Sequence, residues 1–280
     1  MGTSSSNPGP KGKRSPLPPW SDKPHAPNFP APKPNTSQKE VNPNSLPNIE
    51  MPPPPATSWS SPKRGIGDFS KNPSRENFNK LGGGYVRASG GSKSASSSAR
   101  SGKRVTTSVA GFFVSAVTQG LVKATQEYGL ASFDNKNADT IAAEIIDVFA
   151  PAGATLEDAA ARNALIATLK EFFKEIDIEN SGIEVFDKLT EGNIQKLIEI
   201  SISNYINERL QIELLNRVER KTMSEKQANK ICRQIKKFIA GSIKIDLKKK
   251  SLLEVNWKGS EGKRLIEQFF QQGYELLGEE

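Results

Sequence analysis

Residue types able to do chemistry are few in this chain, and their placement limits what they can do. The 280 residues contain one histidine, His25, and one cysteine, Cys232. His25 lies between Pro24 and Pro27 in a stretch with no apolar pattern. Nothing there would hold its imidazole against a reacting atom, and general base work needs that positioning. One histidine and one cysteine do not supply the usual ligand sets of a zinc site. Cys232 sits beside an apolar helical face and reads as an inert buried thiol, because a nucleophile needs a base close by. Glu171 with Glu175, and Glu267 with Glu261 nearby, are carboxylate pairs on expected helices, where a solvated face is the ordinary reading. Gly82–Gly84 is followed by no Gly-Lys-Ser/Thr, and no strand precedes Gly65 and Gly67, so neither a phosphate loop nor a dinucleotide fingerprint is present. This inventory reads as that of a protein that is not an enzyme and needs no cofactor.

The basic residues are better candidates for a function. Lys226, Lys230, Arg233, Lys237 and Lys244 fall within about 60° of one another at 100° per residue, so they form one stripe on a helix. Such a stripe could contact phosphates or an acidic partner, or could simply be a solvated face. Residues 1–100 carry 14 Lys/Arg against 5 Asp/Glu; the whole chain carries 39 against 31, which leaves 25 against 26 in residues 101–280. The basic balance therefore belongs to the N-terminal part, which could bind nucleic acid without sequence preference through counterion release. At the start, Gly2 is small enough for the initiator Met to be removed, exposing a glycine amine followed by the unhindered Thr3–Ser6. The same MGTSSS start also fits the short N-myristoylation pattern.

Two kinds of sequence must position these residues. Eighteen of the nineteen prolines lie between Pro8 and Pro73. With few large apolar residues and many prolines, residues 1–100 read as disordered, because little burial is available to offset chain entropy. The stretch 8–62 is Pro-rich, with polyproline II expected around Pro52–Pro55, and 82–102 is Gly/Ser-rich and reads as flexible. Trp20, Phe29, Trp59, Phe69, Phe78 and Tyr85 are isolated aromatics in this part, either docking anchors or solvated residues. The domain boundary is placed at 103/104: residues 1–103 are a disordered basic tail and 104–280 a helical domain. No apolar signal segment opens the chain. The single cysteine fits a reducing compartment, and a cytoplasmic protein is expected.

From Arg104 the pattern is helical. Val105–Val122 carries no charge, but its threonines, serines, Gln119 and two glycines read as a buried helix rather than a membrane span. The first helix is expected over about Val105–Tyr128, with Ala116, Gly120 and Ala124 as a small-residue row. A second runs from Asn137 to Phe149 before Pro151, and a third is capped by Thr155, with Leu165, Leu169, Phe172 and Ile176 as its stripe. Asn180–Gly182 breaks the chain. Ile194, Ile198, Ile202, Ile206, Leu210, Leu214 and Val218 then recur every fourth residue. With 3.6 residues per turn that row drifts by about 40° per step and winds around the helix, so this helix is expected at the centre, touching several others. Ser224 with Gln227 reads as a capping box for the helix bearing the basic stripe, and a last helix covers about Ser260–Leu277. The fold class is all-α: an irregular helical bundle behind a long Pro/Gly/Ser-rich tail.

The opening MGTSSSNPGPKGKRSPLPPW resembles the start of the B component of Qat anti-phage defence systems (QatB-like proteins). The Gly90-Gly91-Ser92 segment leading to Arg104, the Ala110–Gly120 helix, APAGATLEDAAARNALIATL (150–169) and ISISNYINERL (200–210) are also similar to that family. The resemblance covers essentially the whole chain and includes no catalytic motif. It implies a four-gene defence operon whose other products are an ATPase, an enzyme like the deazaguanine-synthesising QueC and a TatD-like nuclease. It implies a non-catalytic subunit that binds the ATPase and is itself a protein substrate of the QueC-like component. QueC-type chemistry activates a carboxylate with ATP, and the implied acceptor here is the Gly2 amine. The reading that rests on the residues alone, a nucleic-acid-binding adaptor using the tail and the basic stripe, stands as the alternative.

Overall fold

A computed structural model describes residues 58–215, 225–243 and 251–278, all within one compact unit spanning Pro54–Glu280. Gly2, the Pro-rich stretch up to residue 57, Val218, Ser224, Lys244 and Asp246 lie outside the described residues. Among the described residues the secondary structure is helical throughout, with no strand. The helices are α1 (Ser60–Lys71), α2 (Arg75–Ala88), α3 (Ser92–Ser98), α4 (Arg100–Gln119), α5 (Leu121–Tyr128), α6 (Ala138–Phe149), α7 (Leu156–Glu175), the single turn α8 (Ile178–Ser181), α9 (Glu191–Leu215), α10 (Glu225–Ser242) and α11 (Ser260–Gly278). Two short 3₁₀ turns, Ile183–Lys188 and Leu252–Glu254, connect the helices.

The winding row on α9 explains the architecture. Ile194, Ile198, Ile202, Ile206, Leu210 and Leu214 are all buried, together with Leu197 and Tyr205. A row that turns around the helix can be buried along its length only if partners stand on several sides. The helices α7, α10, α4 and α11 supply them. A second centre of the core is aromatic. Phe113 meets Phe112, Phe172 and Phe186 edge-on at centroid distances of 5.0, 5.2 and 5.3 Å, an arrangement that adds to simple area burial.

Several helix ends follow from their caps. The Asn137 side chain accepts from the Thr140 amide at 2.8 Å to start α6. At α7 the capping box is complete: Thr155 Oγ1 accepts from the Asp158 amide at 3.0 Å, and Asp158 Oδ2 accepts from the Thr155 amide at 3.3 Å. Gly182, at φ +66°, ends the turn after α7. Thr155→Ala should lower stability by about 1 kcal/mol, read as a lower urea midpoint at unchanged slope.

The largest departure from the sequence reading lies before Arg104. Residues 60–98, expected to be part of a disordered tail, form α1–α3 and pack into the core. Phe69, Phe78 and Tyr85 are buried, so they are core residues rather than docking anchors or solvated side chains. Trp59 packs edge-on against Tyr85 at 6.1 Å. The glycines that suggested flexibility are close-approach positions. A Cβ on Gly82 would stand 2.4 Å from the Leu277 carbonyl oxygen, and one on Gly84 would stand 3.0 Å from Ser61 Oγ. Gly/Ser composition therefore serves tight helix packing here.

The expected continuous helix over 105–128 is also corrected. It breaks at Gly120, whose φ of +89° is a conformation that disfavours any side chain. The polar residues that argued against a membrane span are used internally: Thr106 and Ser201 hydroxyls are hydrogen-bonded at 2.7 Å between α4 and α9. Among the described residues no helix is long and apolar enough to cross a membrane.

Candidate functional site

On α10 the structure places the middle of the basic stripe where the spacing put it. Lys230, Arg233 and Lys237 are exposed, while Ile231, Ile235 and Ile239 are buried on the opposite side. None of the three cations makes an ion pair with a described residue; Lys236, off the stripe, pairs with Glu171 of α7. Lys226 lies on α10, and nothing is described of its side chain.

Three of the four carboxylates singled out in the sequence are already engaged, and Glu175 is exposed. Glu171 takes Lys236, and Glu267 takes Lys103 at 2.9 Å. Glu261 accepts from the Asn256 amide at 3.0 Å and holds the entry to α11. Cys232 is half-buried and burial pushes its thiol up, which leaves little thiolate at neutral pH. As the chain's one thiol it should alkylate with iodoacetamide at pH 7.5 more slowly than free cysteine, readable by mass. Among the described residues no three His, Cys, Asp or Glu side chains converge to hold a metal ion.

A cationic cleft is a site the sequence reading missed. A cleft of about 600 Å³ is lined by Arg100, Lys103, Arg104, Thr107 and Ser108 of α4, Tyr128 at the end of α5, Trp257 and Lys258 of the preceding loop, and Lys263 and Glu267 of α11. Its position is fixed from α7. Glu157 Oε1 accepts from the amides of Ser101 and Gly102 at 2.8 and 3.2 Å and from Tyr205 Oη at 2.7 Å. The Ser101 hydroxyl donates to Asp158 at 2.6 Å, and that bond above all holds Asp158 below the usual carboxylate range. These bonds anchor the first turn of α4, from which Arg100, Lys103 and Arg104 project.

The floor of the cleft is also built. The Trp257 indole is buried and donates to the Leu252 carbonyl at 3.0 Å. Lys258 reaches Glu127 at 3.2 Å and lies over the Tyr128 ring, 4.9 Å from its centroid. No sequence motif announces this site, because its residues come from three separate segments, the last of them more than a hundred positions from the other two.

The described part is therefore an all-helical body with two cationic features: a stripe on α10 and a cleft between α4 and α11. Residues 90–277 match the family model described as Qat anti-phage system associated protein QatB. The chain belongs to the QatB family and is a component of a Qat anti-phage system. Neither the curated proteins nor the solved structures include a match to this chain.

Proposed function

We propose that this chain is a non-catalytic, cytoplasmic interaction subunit of its Qat system, whose helical body docks the ATPase component and whose N-terminal segment presents Gly2 to the QueC-like component. The observation that carries the reading is the family match over 90–277, which spans the larger part of the helical body. The MGTS opening supports the second half of it. An α-amino group titrates at roughly 7.7–8.0, against roughly 10.4 for lysine, so at neutral pH the N-terminal amine has by far the larger neutral, nucleophilic fraction. Attack of that amine on a carboxylate activated as its adenylate forms an amide, expels AMP and releases one proton from the nitrogen. The lysines of the body compete poorly for such a reaction on this ground alone.

The test of docking is affinity purification of the tagged chain from cells expressing the neighbouring genes. Co-elution of the ATPase through high-salt washing supports the reading. Recovery of the chain alone, with the ATPase expressed and soluble, argues against it. The same eluate shows whether a TatD-like nuclease travels with the pair.

The exposed face of Lys230, Arg233 and Lys237 favours a second reading, a nucleic-acid-binding adaptor. Reversing the three charges separates the two. The adaptor reading expects salt-sensitive DNA binding to vanish with the protein complex intact; the subunit reading expects both DNA retention and the complex to be unaltered.

A further inference from the structure

The cleft between α4 and α11 holds more positive charge than the fold neutralises. Five cations line it against one carboxylate. Lys103 is matched by Glu267 at 2.9 Å and Lys258 by Glu127 at 3.2 Å. Arg100, Arg104 and Lys263 are exposed and make no ion pair with a described residue. The oxygens of nearby Asp158 are occupied by the Ser101 hydroxyl and by Thr155.

This placement is unfavourable for the protein by itself. Arg100 and Arg104 are four apart on one helical face, where like charges repel. With Lys103 they stand in the first turns of α4, where Glu157 accepts from the Ser101 and Gly102 amides and offsets the helix dipole but forms no ion pair with any of the three cations. The start of α11, with Lys263 in its first turn, faces the same cleft. Charges set against one another in this way are stabilised by a bound anion. Guanidinium forks suit phosphate oxygens, which accept two parallel hydrogen bonds.

The shape narrows the ligand further. A volume of about 600 Å³ lies in the range of small-molecule sites. Tyr128 and Trp257 give it an apolar floor beside the charges. A nucleic-acid backbone is followed along an exposed ridge or groove of cations, as on α10; a concavity with a charged rim and an aromatic floor suits a compact molecule with both a phosphate and an apolar part.

We propose that this cleft is a binding site for a phosphorylated small molecule of nucleotide size, with Arg100, Arg104 and Lys263 on the phosphates and the nucleoside part against Tyr128 and Trp257. The site is independent of the Gly2 chemistry and of ATPase docking. The test is calorimetric titration of the full-length chain with ATP, inorganic pyrophosphate and a single-stranded decanucleotide as separate probes. Saturable one-to-one binding of ATP is expected, with pyrophosphate weaker. Arg104→Ala and Lys263→Ala, both exposed and so expected to melt like the parent, should each weaken ATP binding about tenfold or more. Lys174→Ala, on an exposed face of α7 away from the cleft, should leave it unchanged. Failure of ATP to bind, binding of pyrophosphate or the decanucleotide without ATP, or ATP affinity unmoved in Arg104→Ala and Lys263→Ala would overturn the proposal.

Discussion

Glu157→Ala is expected to cost about 3–5 kcal/mol. One carboxylate oxygen accepts three hydrogen bonds, from the Ser101 and Gly102 amides and the Tyr205 phenol. Tyr205 is buried at the centre of α9, so its hydroxyl has no water to turn to once the acceptor is gone. Hydrogen bonds to a charged group contribute about 1.5–3 kcal/mol each, and a buried donor left unmatched adds its desolvation cost. The anion also sits at the start of α4, where it offsets the dipole and the cations Arg100, Lys103 and Arg104. For a domain of this size the loss corresponds to a fall of about 10 °C in Tm. Glu157→Gln keeps an acceptor and removes the charge, so it should recover part of the loss. A Glu157→Ala protein that melts with the parent would show that α4 is not anchored through this residue.

Gly111→Val is expected to cost about 3 kcal/mol and to disturb the cleft at the same time. A Cβ at this position would stand 2.2 Å from Tyr128 Oη and 2.7 Å from Trp257 Cβ. The phenol is the far end of a side chain and can move, but the Trp257 Cβ is fixed to its backbone. The loop that carries Trp257 and Lys258 must therefore shift, and both residues line the cleft. Urea denaturation should show the lower midpoint, and tryptophan fluorescence of the folded protein should change. Gly111→Val with the parent's midpoint and spectrum would contradict the close packing of α4 against this loop.

Local signals in the sequence were read reliably where they act through short-range chemistry. Asn137 and Thr155 start helices because their side chains reach amides three residues ahead, a relation visible in the sequence. The four-residue row from Ile194 placed α9 at the centre because its period alone requires partners on several sides. The basic stripe on α10 followed from angular spacing, and the exposure of Lys230, Arg233 and Lys237 agrees with it.

What escaped were effects that depend on distant partners. In isolation Phe69, Phe78 and Tyr85 stand among Gly, Ser and Pro, a composition that argues for disorder. They are buried because α10 and α11 come back to cover them; Phe78 stacks on Phe238 at 5.1 Å, with about 160 residues between them in the chain. Gly82 and Gly84 looked like a flexible stretch because only the folded neighbours, Leu277 and Ser61, reveal the contact that excludes a side chain. The cleft was hidden for the same reason. Arg100 falls in the stretch that reads as flexible, Arg104 opens the helical pattern, and Lys258 and Lys263 lie about 150 residues further on, so only the fold brings them to one cavity.

The central claim is that this QatB-family chain is a substrate as well as a subunit, and the most direct measurement is intact mass. The chain is purified from cells expressing all four neighbouring genes, and again from cells with the QueC-like gene inactivated. The account predicts a discrete added mass in the first sample only, mapped by fragmentation to the peptide beginning at Gly2. An identical, unmodified N-terminal peptide in both samples, with the QueC-like protein present and active, would contradict it.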